Sequence, residues 1–374
     1  MNRICIYMTH NTTNKLKAHV RPFLESMVNY ADVYLVCNFK KQIESSQIPE
    51  GIKDVFYRDN TGWDSGAFKD VIIDSLGWDE IRKYEELLLV NDSFYGPLYP
   101  LEETFKLFEN DECDFWGITG QNAGYYENPR YDFPKHVHSY FYGFKKNIIK
   151  SDGFKQYWQE LEYPVTFRDA VIIYEVKLNQ VLNELGFKGN CYTNYYNFQI
   201  ETNENPFLSR PNELVEKLRV PLLKRKSLLI RNKGFVNTIK CIDYIEKNLS
   251  YPVDGIREEI YNQFFNYNQN GKHILDFIDE HNRIYIYGNG VCGKNLAIYF
   301  ESNNRKFDAF VTTSGDEELG ILKPEQMKID DKTGVIISII DPKVSEEVKG
   351  QLLKNFKEEQ LFLLYDCPAI RIPV

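Results

Sequence analysis

No apolar run in these 374 residues approaches the roughly 18 needed to cross a bilayer. The first apolar stretch, Ile4 to Met8, is broken at once by Thr9, His10 and Asn11, so it lacks the core of a signal peptide. Cysteine is sparse and unpatterned: Cys5, Cys37, Cys113, Cys191, Cys241, Cys292 and Cys367 are odd in number and nowhere spaced as a metal knuckle or redox pair. A reducing compartment is implied, and a cytoplasmic protein is expected, with any membrane contact peripheral at the inner face of the cell membrane. Positive charge is also short. With 45 Lys and Arg against 54 Asp and Glu, the chain has no surplus for a phosphate backbone, which argues against nucleic acid as a partner.

What is present points to an ordinary globular chain of more than one core. Its length exceeds what a single core usually serves, and 43% hydrophobic residues suffice to bury two. The aromatic share, 15%, is high and rests mostly on Tyr and Phe. Flat faces with polar tips suit sugars and nucleobases, and Tyr-rich surface loops give the same composition, so both readings stay open.

The pattern along the chain is that of an open, mostly parallel α/β sheet. Ile4 to Met8 and 32–37 read as buried strands, and Leu16, Val20, Phe23, Leu24 and Met27 between them recur at helical spacing. A third strand is expected over 54–57, a helix over 68–76 ended by Gly77, and a fully apolar strand over 87–90 that runs directly into Asn91, Asp92 and Ser93. Strands over 114–118 and 139–144 and helices over 147–161 and 169–185 follow, then a polar connection over 197–211. The expected division is a first domain over 1–210, a helical and partly basic linker over 211–268, and a smaller Rossmann-like α/β domain over 269–374. The basic residues of the linker, Lys217, Arg219, Lys224, Arg225, Lys226, Arg231 and Lys233, suit either anionic lipid headgroups or a solvated helix.

Ligands of such sheets gather at the carboxyl ends of the strands, where Thr9 and the run Asn91-Asp92-Ser93 fall. A carboxylate there, Asp92, can hold a divalent cation, Mn²⁺ or Mg²⁺, that bridges a diphosphate; an Asp capping a turn before Gly96-Pro97 has the same spacing. In the segment Asn60-Thr61-Gly62-Trp63-Asp64-Ser65-Gly66 two glycines flank small polar groups at a helix start. They are expected to expose N–H donors to an anion or ribose, with Trp63 as a stacking face. Glu175 lies beside the stripe Val171, Tyr174, Leu178, Val181, Leu182 and Leu185; partial desolvation there raises a carboxylate's pKa and makes a general base, while a salt bridge is the plainer alternative. His136 and His138, before the aromatic strand, are candidates for metal or phosphate contact or for structural roles.

Together, Asn60 to Ala67, Asn91-Asp92-Ser93 with Gly96-Pro97, His138-Ser139-Tyr140-Phe141 and Tyr174-Glu175-Val176 resemble the rhamnan synthesis protein F family over about the first 200 to 230 residues. The resemblance implies a GT-A type glycosyltransferase of bacterial surface polysaccharide, with a nucleotide-diphosphate sugar donor and a lipid-linked glycan acceptor. Catalysis would fall to Asp92, also the metal ligand, and to Glu175 as the base of an inverting transfer. Thr9, Asn60, Gly62, Trp63, Asp64, Gly66, Asn91, Ser93 and His138 would bind the donor, dTDP-L-rhamnose being the expected one. Asn91-Asp92-Ser93 departs from the family's broader pattern in offering one carboxylate where many GT-A enzymes show two.

Near the C-terminus Gly288, Gly290 and Gly293 form a glycine-rich turn between a strand and a helix, a second nucleotide site by pattern. Asp308 opens the following strand and Asp316 lies past it, so neither stands where a ribose clamp belongs. The pattern admits an NAD-dependent oxidoreductase or epimerase, against which the absence of a Tyr-x-x-x-Lys after that turn counts, and a non-catalytic scaffold of a polysaccharide assembly complex.

Overall fold

The computed structural model describes residues 1–126, 130–196, 198–199 and 204–371. The chain folds into two compact units, one of residues 1–225 with 241–252, the other of 226–240 with 253–374. Residues 211–268, expected as one linker, are therefore shared between the units. Part of the expected polar connection, Asn197 and Ile200 to Asn203, lies outside the described residues.

The first unit is built on a seven-stranded sheet. Its strands are β1 (Arg3–His10), β2 (Asp32–Asn38), β3 (Ile52–Arg58), β4 (Glu86–Asn91), β5 (Phe115–Gly117), β6 (Phe141–Lys145) and β7 (Gly189–Cys191), in the order β7-β5-β6-β4-β1-β2-β3. All neighbours are parallel except β6, which runs against both β4 and β5. The order reverses between β1 and β4, so the carboxyl ends of those two strands border a crevice.

Strand alternation divides the core in two. Ile4, Ile6, Leu87 and Leu89 point to one face with Phe68, Tyr174, Leu178 and Leu182. Cys5, Tyr7, Leu88 and Val90 point to the other with Val20, Phe23, Leu24 and Met27 of helix α1 (Val20–Met27). These side chains are almost fully buried, each aliphatic one contributing about 1.5–3 kcal/mol. Because the period is two, residues at the strand ends inherit a face: Asn91 continues the Leu87, Leu89 side and Thr9 the Cys5, Tyr7 side.

Helical segments of this unit depart from the 3.6-residue expectation. Helix α2 (Trp63–Asp70) starts five residues before the expected 68 and passes into a π-helical stretch, Val71–Ser75. The segment 147–161 breaks into Lys146–Ile149 and Asp152–Glu160, where Ser151 caps the second piece. Helix α3 covers 167–184 as Phe167–Asp169, the π-helical Ala170–Val176, and Lys177–Glu184. The π turns shift the stripe: Tyr174 and Val176 are buried, whereas Leu185 is exposed.

The second unit holds a four-stranded parallel sheet of β8 (Arg283–Tyr287), β9 (Ala309–Val311), β10 (Thr333–Ile337) and β11 (Leu361–Leu363), in the order β9-β8-β10-β11. Helices α4 (Val291–Ser302) and α5 (Pro342–Leu352) follow β8 and β10. Among the described residues no helix is long and apolar enough to cross a membrane.

Candidate active site

The end of β4 is the anchor. Asn91 Oδ1 accepts from the Ser93 backbone N–H at 3.2 Å and from the Ser93 hydroxyl, closing a turn past the strand end. Asn91 Nδ2 then donates to Asp64 Oδ2 at 2.9 Å, across to the first turn of α2. On the other side Lys224 Nζ donates to Ser93 Oγ at 2.7 Å and lies 3.9 Å from the centre of the Tyr140 ring. Lys224 arrives there because the two-residue strand Leu223–Lys224 pairs with Phe94–Tyr95. For Lys224 this corrects the expected lipid-facing or solvated role.

From Tyr140 the network continues into a histidine pair. Tyr140 Oη and His138 Nδ1 both meet Thr119 Oγ1 at 2.8 Å. Glu175 Oε2 accepts from the Ser139 backbone N–H at 2.6 Å and from the Ser139 hydroxyl at 2.7 Å, while Oε1 lies 3.7 Å from His136 Nε2. His136 Nδ1 is held by the Pro134 carbonyl at 2.8 Å. One ligand atom each from His136, His138 and Glu175 lies within 4.8 Å of the others, a group able to hold a metal ion.

The electrostatics reverse one expectation. Burial pushes Glu175 upward, but the His136 hydrogen bond, the charges of both histidines and the Ser139 N–H outweigh it, so its carboxyl stands well below the ordinary range. The anticipated raised pKa at Glu175 is thus corrected. Asp64 is the carboxyl held above its usual value, by burial first and by the nearby Glu175 charge, against the Asn91 and Ser65 hydrogen bonds. His138 is pushed down to about 4 by burial, whereas the Glu175 partner raises His136 despite burial.

Asp92 belongs to a different set. Its Oδ2 accepts from Thr9 Oγ1 at 2.7 Å, from Lys17 Nζ at 3.0 Å and from the His10 backbone N–H at 3.3 Å, and its carbonyl meets His19 Nε2 at 2.9 Å. Thr9 lies on the α1 side of the sheet, so Asp92 is drawn away from the face that carries Asn91, Asp64 and Glu175. Burial pushes Asp92 up, yet Lys17, Arg225 and His19 leave it below its ordinary value. Oδ2 already serves a lysine ammonium and a threonine hydroxyl, so a hard cation at this carboxylate would compete with Lys17 for it. Asp92 and Glu175, expected in one cleft, share no partner among the described residues.

The glycine-rich turn also differs in use from the expectation. Gly62 is left-handed at φ 69°, and a Cβ there would fall 2.7 Å from the Tyr163 ring; at Gly66 it would fall 2.6 Å from the Thr61 carbonyl. The turn's own N–H groups are largely spent: Thr61 on Asp59, Trp63 on Asn60, Ser65 on Asp64 and Gly66 on Gly62. Close packing, rather than an open nest of donors, is what these glycines serve. Asn60 accepts from Asn38 Nδ2 at 2.8 Å and steadies the loop. Trp63 is half-buried with its ring 6.1 Å from that of Phe167, which is exposed.

In the second unit Gly288 is left-handed at φ 108°, a Cβ on Gly293 would meet the Gly288 carbonyl at 2.0 Å, and Gly290 faces open space. Asp308 Oδ2 accepts from the Ile284 N–H at 2.8 Å and Asp316 accepts from Leu319 N at 3.2 Å, so both acids serve the backbone.

A mostly parallel sheet whose switch point carries a hydrogen-bonded set of carboxylates, an amide, a lysine and imidazoles defines an α/β protein with a polar cluster at its strand ends. The chain belongs to the rhamnan synthesis protein F family, whose pattern it matches over residues 33–339. The match thus runs well beyond the 200 to 230 residues that carry the motif resemblance and includes strands β8 to β10. Over 158 residues the chain is 26% identical to the uncharacterized protein y4gN of Sinorhizobium fredii (strain NBRC 101917 / NGR234), a stretch that is 41% of this chain and 39% of that relative. The crystal structure of the glycosyltransferase GlyE of Streptococcus pneumoniae TIGR4 aligns over 97% of this chain and 96% of that one, at 11% identity and a TM-score of 0.32, too low to assign a shared fold.

Proposed function

We propose that this chain is a glycosyltransferase of surface-polysaccharide synthesis, taking a sugar from a nucleotide diphosphate and adding it to a lipid-linked glycan. Membership of the rhamnan synthesis family supports this reading, and dTDP-L-rhamnose transferred with inversion is the finer form of it. The observation that carries it is the continuous chain Asp64, Asn91, Ser93, Lys224 at the ends of the central strands.

Each member then has a task. Lys224, steadied on Ser93 and Tyr140, is the cation that offsets charge on the departing diphosphate. Trp63 and Phe167 offer ring faces to a sugar or base. Asp64, with its raised pKa and its orientation fixed by Asn91, accepts the proton of the attacking hydroxyl, a contribution of roughly 10²- to 10⁴-fold. Glu175 holds the Ser139 turn and the histidine pair in place. In an inverting transfer the acceptor oxygen attacks opposite the leaving diphosphate, and Asp64 takes its proton as the bond forms. No step is routed through Mn²⁺ or Mg²⁺ at Asp92, whose carboxylate is instead read as the anchor of Lys17 and the β1 end. Gly288, Gly290 and Gly293 stay a proposed second nucleotide site.

The test is a panel of nucleotide sugars incubated with the full chain, reading released nucleoside diphosphate and thermal stability. Turnover of dTDP-L-rhamnose, with a rise in melting temperature by mass action, is expected. A panel in which no nucleotide sugar binds or is consumed would remove the reading.

A further inference from the structure

The histidine pair carries an inference that stands whether or not the chain transfers sugar. His136 and His138 are separated by one residue of extended chain, which places both rings on one side, and both are buried. Each ring is oriented through Nδ1, one on the Pro134 carbonyl and one on the Thr119 hydroxyl, each at 2.8 Å. That leaves Nε2 of each ring outside these contacts, with His136 Nε2 3.7 Å from Oε1 of the third member, Glu175, whose Oε2 is fixed by two Ser139 donors. An outer hydrogen bond on the far nitrogen of each imidazole and on the far oxygen of the carboxylate is how protein metal ligands are held.

We propose that His136 Nε2, His138 Nε2 and Glu175 Oε1 bind one first-row transition-metal dication, of the Zn²⁺ and Co²⁺ class rather than Mg²⁺. The donor set decides the class: two imidazoles and one carboxylate suit Zn, Mn, Fe or Co, while Mg²⁺ seeks oxygen alone. The spacing is close to what is needed. Ligand atoms about 2.1 Å from a tetrahedral ion stand about 3.4 Å apart, and one ligand atom from each of these residues lies within 4.8 Å of the others, so a contraction of at most about 1.4 Å completes the set. Three protein ligands leave a coordination position open for water or a substrate oxygen.

The experiment uses the full chain, stripped with a chelator and titrated with Zn²⁺, Co²⁺ and Mg²⁺ in separate calorimetric runs. One Zn²⁺ per chain is expected, Co²⁺ binding more weakly at the same site, and Mg²⁺ neither binding nor competing. His138→Ala and Glu175→Gln should each weaken Zn²⁺ by at least about 10-fold, and Thr119→Val, which removes the outer contact of His138 together with a contact to Tyr140, by about 10-fold, all with unchanged circular dichroism. X-ray absorption of the wild-type zinc complex gives a reading that needs no variant: two imidazoles in the ligand shell support the site, and a sulfur shell from the seven buried cysteines overturns it. Absence of stoichiometric binding, or binding unchanged in both His138→Ala and Glu175→Gln, overturns it as well.

Discussion

Asn91 Nδ2 donates to Asp64 Oδ2 at 2.9 Å, and this bond ties the end of the central strand β4 to the start of helix α2. It selects Asp64, rather than the adjacent Asp92, as the carboxylate on the face that carries Glu175 and the histidines.

Asp64 should behave as a group kept for chemistry at some expense of stability. Its folded pKa is raised, so its protonation favours the fold at low pH and that contribution is lost as pH rises through the folded value. At neutral pH Asp64→Asn should therefore melt at or above the wild-type temperature. Differential scanning calorimetry checks this; a lower melting temperature at neutral pH would contradict the assigned electrostatics.

Asp92 should show the opposite sign. Its folded pKa is lowered, so the stability it supplies is present above the ordinary carboxylate range and lost as pH falls through the folded value. Asp92→Ala should cost about 2–4 kcal/mol at neutral pH, by stripping Lys17 of its partner and Thr9 of its acceptor, and the deficit should shrink on acidification. Urea titrations at several pH values measure both.

Gly66→Ala should damage fold and site together. The added methyl would sit 2.6 Å from the Thr61 carbonyl, a backbone atom that cannot swing aside, so a loss of about 1–3 kcal/mol is expected. The displaced loop carries Trp63 and Asp64, and nucleotide-sugar affinity should fall with it; a variant with wild-type stability would contradict the packing role.

Lys224→Met should weaken nucleotide-sugar binding by about 10-fold or more with little change in melting temperature, because it removes a charged donor while its methylene stem and the Tyr140 contact are kept. Ser93→Ala should have a smaller effect in the same direction. Calorimetry on both variants separates the two.

Much of this was legible in the residues, and the failures have physical causes. Six of the seven strands of the larger sheet announced themselves as apolar runs between turn signals, whereas Gly189–Cys191 offers no such run, and the run ending in Asn91-Asp92-Ser93 did mark the carboxyl end of a central strand. Which face each polar residue took was harder. Asn91 shares parity with Leu87 and Leu89, and Asp92 with Leu88 and Val90, but parity alone does not reveal which face holds the site. Periodicity misjudged 71–75 and 170–176 because a π turn does not follow the 3.6-residue repeat. Lys224 gave no signal, since a two-residue strand 131 positions from Ser93 has no pattern to read. The histidine pair did have one: two histidines at i and i+2 in extended chain share a side.

Single-turnover transfer from the accepted nucleotide sugar, compared between Asp64→Asn and Asp92→Asn, bears most directly on the account. With both variants folded, Asp64→Asn should lose about 100-fold or more in rate, and Asp92→Asn should keep most of it. A fully active Asp64→Asn beside an inactive but folded Asp92→Asn would return the chemistry to the other face of the sheet and contradict the site described for this chain.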